Sequence, residues 1–489
     1  MTKRLFSIIT FLSFTTFVSA QKYQNNPKIT QVEKGLFANT EIVFADSIVP
    51  KFNIYERMKF YNVPSVSIAV VNKGRIEWAR AYGFADISEQ RKADIKTLYQ
   101  AASISKSINA LYIMKLVQDG ELSLDKDIRQ YLKTWTFPDN EFSNGKVITL
   151  KNLMSHTAGL STSGFIGYSR GDTIPTINEI LDGKRPANSE AVKPVLPPNT
   201  QFKYSGGGTM VIRKIIDDNV ALNYDSTLQK VILQPLGMRN STFTQPLRPA
   251  WKNVATAYNG RMQEIKGKYH IYPEQAPDGL WTSATDLAKF VISIQKSLNN
   301  KPSLLKQETV KEMLTPVLTS SNSALGVFIE EKGGEKYFTH NGANVGYRSS
   351  YYGSVTTGSG VIILTNSDNG RPLINEIINS VATAYNWKGF YHPAIKKLVH
   401  VSETLLDKYI GEYVSENPQL KIMIIKKDGE LELTARQPER MYATSNNTFF
   451  LLSSPAQDAV FLSSNNNDLI DTLEVREGTK VLIKAIKKQ

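Results

Sequence analysis

Not one of the 489 residues is a cysteine, and that absence removes several ways of holding a chain together. No disulfide can staple it, no thiolate can ligate a metal, and no Cys can serve as nucleophile or lipid anchor. The fold must rest on buried apolar cores, and the length provides for two or three domains. The absence matters the more because of how the sequence begins. Lys3 and Arg4 precede an apolar run from Leu5 to Val18, and Val18-Ser19-Ala20 supplies small residues before Gln21. This order is that of a secretory signal peptide over residues 1–20. The run falls short of the roughly twenty residues that a membrane span needs. The sequence therefore predicts an exported protein, periplasmic or secreted, with no stable membrane span after cleavage.

The formal charge is +13, and the leader supplies two of those positive residues. Lys and Arg are scattered, the longest basic runs being pairs such as Lys396-Lys397, Lys426-Lys427 and Lys487-Lys488. No nucleic-acid partner is predicted; a solvated basic surface favours anionic envelope polymers instead.

Residues 21 to about 60 read as a polar lead and an amphipathic helix. Ser65 to Val71 and Arg75 to Tyr82 are β-rich runs joined by Asn72-Lys73-Gly74, a hairpin signal. Helical and loop patterns dominate from about 97 to 300, where Ser283-Ala284-Thr285-Asp286 opens an apolar helix through Ile294. Strand patterns return at Tyr337–Thr339, Tyr347–Gly353 and Gly360–Leu364, before a helix over 372–385. Strands thus flank a long helical insertion, which predicts an α+β fold: a sheet flanked by helices with an inserted helical domain. This domain spans 21–390, and a linker spans 391–404. Residues 405–489 carry short strand patterns, including a hairpin at Asp428-Gly429, and predict a small all-β barrel or sandwich.

The strongest local feature is Ala101-Ala102-Ser103-Ile104-Ser105-Lys106. On a helix, residues three apart share a face, so the Ser103 hydroxyl and the Lys106 amine come within hydrogen-bond reach. A serine hydroxyl is a poor nucleophile until a base takes its proton. Lysine can do so where nearby cations and partial burial lower its pKa. The following helix, from Ser103 to Val117, is apolar around most of its circumference and is predicted to be buried. Ser103 then sits at its positive N-terminal end. Two further segments matter. Residues 202–208 read Phe-Lys-Tyr-Ser-Gly-Gly-Gly, placing Tyr204 at the head of a glycine-rich tight turn. Residues 337–342 read Tyr-Phe-Thr-His-Asn-Gly, a strand ending in His340. Tyr204 can shuttle protons, and Gly342 lets an acyl group lie against the backbone.

In that order, Ser103-x-x-Lys106, Tyr204-Ser205-Gly206 and His340-Asn341-Gly342 resemble the three motifs of the serine β-lactamase and penicillin-binding protein superfamily. Within it they resemble the class C, DD-peptidase and family VIII esterase branch. Leu153–Leu160, Pro235-Leu236-Gly237-Met238 and Gly279-Leu280-Trp281-Thr282-Ser283 extend the resemblance over roughly 45–387. It implies an antiparallel sheet covered by helices, with the site between sheet and inserted helices. It also implies Ser103 as nucleophile, Lys106 as its partner, Tyr204 as general acid/base, and His340 where many relatives carry Lys. The backbone N–H groups of Ser103 and Ala343 would form the oxyanion hole, and Gly206, Asn341 and Gly342 would line the substrate. The terminal β domain resembles the lipocalin-like appendages of some members. No cofactor is implied.

Two departures bear on substrate. Gly206 replaces an Asn whose amide holds the substrate's acylamide group, and His340, mostly neutral near pH 7, replaces a cation. Both argue against an efficient β-lactamase. They favour a hydrolase for D-residue-containing peptides, wall-derived ones included, or for small esters or amides. A true β-lactamase and a non-catalytic penicillin- or wall-peptide-binding protein stay open. His156 reads as a structural histidine bonded to backbone. His270, His392 and His400 lack partners at metal-ligand spacing, so no metal site is predicted. No Gly-x-Ser-x-Gly elbow occurs.

Overall fold

The computed structural model describes residues 26–488 except 39–41, 46, 221–222, 392, 436 and 465–468. The leader over 1–20 and His392 therefore lie outside the described residues. The chain forms two compact units, one running to Leu36 and from Lys51 to Phe390, the other made of Phe37–Pro50 and Tyr391 onward.

The first unit is built on a seven-stranded sheet. Its strands run, edge to edge, Arg91–Lys92, Arg75–Asp86, Ser65–Asn72, Gly360–Thr365, Tyr347–Ser354, Glu335–Asn344 and Phe328–Lys332, with every neighbouring pair antiparallel. The two central strands read as near-continuous apolar runs because both faces of the sheet are covered. Val66, Ile68, Val70, Val361 and Ile363 enter one core, with Ile54, Met58, Leu373, Ile377 and Val381 of the helices Ile54–Phe60 and Gly370–Ala384. Ala69, Val71, Ile362 and Leu364 point to the other face and join the larger core under the helical insertion. The period-2 alternation of a strand thus divides one sequence between two cores. Arg57 clamps the first core, its Nε and Nη2 donating to Glu376 at 2.7 and 2.6 Å with both side chains buried.

The insertion holds the helices Ser105–Gln118, Gly206–Asn219 and Ala284–Leu298, the last capped by Ser283, whose side chain accepts from the Asp286 N–H. A short three-stranded sheet, Tyr99–Gln100 beside Trp281–Thr282 beside Ser241–Thr242, lies within it. The pairing of Gln100 with Trp281 brings two distant segments together at the turn that carries Ser103.

Three local expectations need correction. The one amphipathic helix expected before residue 60 is two separate helices among the described residues. Pro27–Glu33 and Ile54–Phe60 are separate, and Asn53 starts the second through a reciprocal bond pair with Glu56. Between them Ile42–Phe44 pairs in parallel with Ala394–Lys396, so part of the 391–404 stretch is a strand in the second unit. Gly206-Gly207-Gly208 is not a tight turn but the first turn of the Gly206–Asn219 helix. Ser205 caps that helix, its Oγ accepting from the Gly208 N–H at 2.9 Å. A β-carbon at Gly207 would stand 2.8 Å from a Val192 methyl and one at Gly206 3.1 Å from Phe165 Cε2, so side chains are crowded at these two positions.

The second unit is an eight-stranded closed antiparallel barrel from Gly411–Glu416 to Lys480–Lys487, each strand next to its sequence neighbour. Eight strands enclose a space that side chains fill, here Tyr413, Ile424, Leu431, Met441, Phe449, Phe461 and Leu473 among others. The Glu403–Tyr409 helix adds to this core, Tyr409 stacking on Phe461 with ring centroids 4.3 Å apart.

Candidate active site

Ser103 occupies a single 3-10 turn, Ala102–Ile104, directly ahead of the Ser105–Gln118 helix. Ala102 has φ +52°, a left-handed conformation that costs an alanine energy and persists where surrounding bonds enforce it. Those bonds are the Ala101 N–H to the Leu280 carbonyl at 2.9 Å and the Leu280 N–H to Ser105 Oγ at 3.0 Å. The helix behind is buried almost all round, as its composition predicted. Lys106, on its first turn, is only 3% exposed.

The Lys106 Nζ donates to Ser103 Oγ at 3.0 Å and to the Pro277 carbonyl at 3.1 Å. It also lies 5.2 Å from the centroid of the Tyr204 ring. A carboxylate completes the group, and sequence reasoning did not find it: Ser103 Oγ donates to Asp278 Oδ1 at 3.0 Å, and Lys106 Nζ is 3.6 Å from that same oxygen. The expectation that nearby cations lower the Lys106 pKa is thereby overturned. Burial does pull it down, but Asp278 and Tyr204 outweigh burial and hold Lys106 above the usual lysine range. Asp278 is also pushed up, by burial, against the attraction of Lys106 and its bonds to Ser103 and Lys106. Glu274, at the start of the same Gln275–Asp278 turn, is buried with both oxygens unpartnered and is pushed up to about 8 by burial.

Tyr204 lies in the extended segment before the Ser205 cap. The His156 ring packs on it at 4.3 Å, and Phe328 and His340 stand 6.5 and 6.3 Å away. His156 accepts the Ser205 N–H on Nδ1 at 3.2 Å, as expected of a structural histidine. Its place against Tyr204 was not foreseen. Position 206 has little room for the Asn that the resemblance expected, since a β-carbon there would stand 3.1 Å from both Phe165 Cε2 and the Ser163 carbonyl. Those residues line a cleft of about 510 Å³ with Ser161, Asn188, Glu190 and Lys203.

His340, Asn341, Gly342 and Ala343 lie in sequence on the Glu335–Asn344 strand, which packs against the Ser103 turn. A β-carbon on Gly342 would fall 2.1 Å from the Ala101 carbonyl and 2.2 Å from Ser349 Oγ, so only glycine allows this approach. Pairing with Phe328–Lys332 ends at Thr339, which leaves the same edge of His340 to Asn344 without a strand partner. The His340 ring is buried and pushed down to about 3 by burial and the nearby Lys106 charge. It is therefore neutral at pH 7. Its Nδ1 donates to the Asn341 carbonyl at 2.7 Å, so Nε2 carries a lone pair, and no partner meets it. The cation beside this edge is Arg371, whose guanidinium donates to Asn341 Oδ1 at 2.7 Å. Its only sequence signal was its place next to Pro372 at the start of the last helix of this unit.

The histidines set a pH dependence. His156 and His340 are both held below the ordinary histidine value, chiefly by burial. Below about pH 6.5 the unfolded chain takes up protons that the folded chain refuses, so stability falls on acidification by up to about 1.4 kcal/mol per pH unit per histidine. Thermal melts at about pH 7 and about pH 5 will show this loss, and His340→Asn will remove about half of it. An unchanged pH slope in that variant means His340 titrates alike in both states. Among the described residues no group of His, Asp and Glu is placed to hold a metal, and no helix is long and apolar enough to cross a membrane.

A helix-borne Ser-x-x-Lys pair facing a tyrosine and a sheet-edge His-x-Gly strand, between an antiparallel sheet and inserted helices, defines the class of fold and site. The family model described as Beta-lactamase matches residues 53–382, and the chain belongs to that family, as its motifs implied. Protein flp of Staphylococcus aureus (strain MRSA252) is 23% identical over 312 residues, 62% of this chain and 60% of that protein. The chain thus matches about 60% of the length of that relative. Penicillin-binding protein 4* of Bacillus subtilis (strain 168) is 19% identical over 79% of this chain and 87% of its own. Among solved structures, the octameric penicillin-binding protein homologue from Pyrococcus abyssi superposes with a TM-score of 0.60 at 23% identity. That match covers 89% of this chain and 98% of the other. The D-amino acid amidase from Ochrobactrum anthropi SV3 gives 0.55 at 22% identity, over 68% and 96%. At these identities the structural likenesses establish the fold, an α+β sheet-and-helix domain with a small all-β domain.

Proposed function

We propose that this chain is an exported serine hydrolase that forms an acyl-enzyme on Ser103 and cleaves peptides containing D-residues, or small amides and esters. The observation that carries the reading is the 3.0 Å contact of the buried Lys106 Nζ with Ser103 Oγ, with the Tyr204 ring 5.2 Å from the same amine. Ser103 attacks the carbonyl carbon, and the N–H groups of Ser103 and Ala343 receive the oxyanion. The open edge from His340 to Asn344 takes an extended substrate as an added strand, with Asn341 and Gly342 beneath it and the small Gly206 opposite. Tyr204 and Lys106 handle the protons of the leaving group and of the incoming water.

Substrate class follows from charge and space. A neutral His340 supplies no cation for a β-lactam carboxylate. Arg371, bonded to Asn341, offers one further along the edge, where a peptide's terminal carboxylate would lie. The names of two similar proteins, a penicillin-binding protein and a D-amino acid amidase, point the same way.

The test is a panel with the mature protein: a D-Ala-D-Ala peptide, D- and L-amino acid p-nitroanilides, p-nitrophenyl acetate, and a fluorescent penicillin read by intact mass. Cleavage of D- but not L-substrates, with a slowly released penicillin adduct, is expected. Ester turnover alone makes the protein an esterase. Rapid penicillin hydrolysis makes it a β-lactamase, and an adduct with no turnover of any substrate makes it a binding protein.

A further inference from the structure

We propose that Asp278 is the group that takes the proton from Ser103 when the acyl-enzyme forms, while Lys106 acts as a cation. This rests on the reading of Ser103 as nucleophile. Ser103 Oγ carries one proton and touches two polar groups, Lys106 Nζ and Asp278 Oδ1, each at 3.0 Å. A peptide carbonyl can only accept, so Lys106 uses one N–H on Pro277, and as an ammonium it has no lone pair with which to accept from Ser103. The one serine proton is left to point at Asp278.

The carboxyl is built to be basic. Asp278 is 3% exposed, and its Oδ2 is buried with no hydrogen-bond partner. A carboxylate deprived of water and of half its hydrogen bonds holds a proton more tightly than a solvated one. Its position is fixed from two directions. The backbone of the next residues is bonded to Ala101 and Ser105, and the Asp278 carbonyl accepts from Asn344 Nδ2 at 3.1 Å, at the end of the strand that carries His340.

The charges around it are few. Lys106 comes from the Ser105–Gln118 helix, Glu274 from its own turn, and Tyr272 from the segment before it. Arg213, on the Gly206–Asn219 helix packed against this turn, is occupied by Asp217 and Gln275. His340 and His156 are neutral, and Tyr204 faces Lys106. Lys106 is the cation nearest the carboxylate, 3.6 Å away, and Asp278 and Tyr204 hold it above the usual lysine range against the pull of burial.

The Ser103 O–H bond breaks and its proton goes to Asp278 Oδ1. The Oγ–carbon bond forms, and the carbonyl π pair moves onto the substrate oxygen. As that pair returns, the bond to the leaving group breaks. The leaving atom takes a proton from the Lys106 ammonium, which recovers one from Asp278, 3.6 Å away. Water repeats the sequence to release the acid.

Two measurements test this, with p-nitrophenyl acetate as probe. Wild-type kcat/KM is followed from about pH 4 to about pH 10. An acid limb followed by a plateau through the alkaline range is expected, because the carboxyl must be ionised and the lysine need not be neutral. A rate that keeps climbing toward the lysine range gives the proton to Lys106 and overturns the proposal. This profile decides the question even should a variant fail to fold. Asp278→Asn is expected to lose about 10²- to 10³-fold in kcat, with KM changed less than about threefold, and to lose the acid limb. Near-wild-type activity in Asp278→Asn, with Ser103→Ala dead, removes Asp278 from the mechanism and leaves the nucleophile standing. Turnover that survives Ser103→Ala overturns both.

Discussion

Replacing Ser103 by alanine is expected to lower kcat/KM for p-nitrophenyl acetate by about 10⁴-fold or more and to abolish any penicillin adduct, because the nucleophile itself is gone. The thermal melt should scarcely move. What disappears is one hydroxyl with bonds to Lys106 and Asp278, and the ion pair between those two groups remains. A lost hydrogen bond of this kind is worth about 1 kcal/mol, or roughly 1–2 °C in a domain of this size. Activity and stability must therefore separate. A mutant that loses both together would place Ser103 in the scaffold, and one that keeps turnover would move the nucleophile elsewhere.

Lys106→Met should damage both properties, with a pH signature that Ser103→Ala lacks. Turnover falls by about 10³-fold or more, since the serine loses its charged partner and the leaving group its proton donor. In the fold, Asp278 becomes a buried carboxylate without a counter-charge, a situation that costs about 3–5 kcal/mol where a buried pair is broken. The carboxyl escapes that cost by protonating. A group whose pKa is raised by folding stabilises fully below its unfolded value near 3.9, and that contribution is lost as pH rises through the folded value. The Tm gap between wild type and Lys106→Met therefore widens from about pH 5 to about pH 8. This is opposite in sign to the acid instability contributed by His156 and His340. Adding Asp278→Asn to the variant should close the gap without restoring turnover. A gap that does not change with pH would show that Asp278 and Lys106 are not coupled as the 3.6 Å contact requires.

Much of this site was legible before any coordinate, for reasons tied to particular residues. Ser103 and Lys106 are three apart across the 3-10 turn and the first turn of the buried Ser105–Gln118 helix, so their contact is local geometry. Gly342 is required wherever a strand must lie against a turn, and here a β-carbon would strike the Ala101 carbonyl. The central strands were legible because alternate residues feed two cores, which makes them apolar throughout. Asp278 and Arg371 were not legible. Asp278 reaches Ser103 only through the pairing of Gln100 with Trp281, a long-range event that leaves no periodicity in Gln275–Asp278. The glycines at 206–208 read as a turn because glycine is a poor helix former. The helix starts there because Ser205 caps it, and Val192 and Phe165 crowd the β-carbon positions of Gly207 and Gly206. In the barrel, Pro438–Ala443 escaped notice since only Met441 of its six residues is buried.

The parallel pairing of Ile42–Phe44 with Ala394–Lys396 carries a consequence for the order of events in synthesis. A chain is made from its N-terminus at about 5–20 residues per second. The first strand of this pair leaves the ribosome some 350 residues before its partner, a wait of roughly half a minute at such rates. For that interval Ile42, Val43 and Phe44 lack their partner strand, and the residues of the first unit, which run to Phe390, are complete only just before that partner begins at Ala394. The pairing that joins the two segments of the second unit therefore forms only after the residues of the first unit are made.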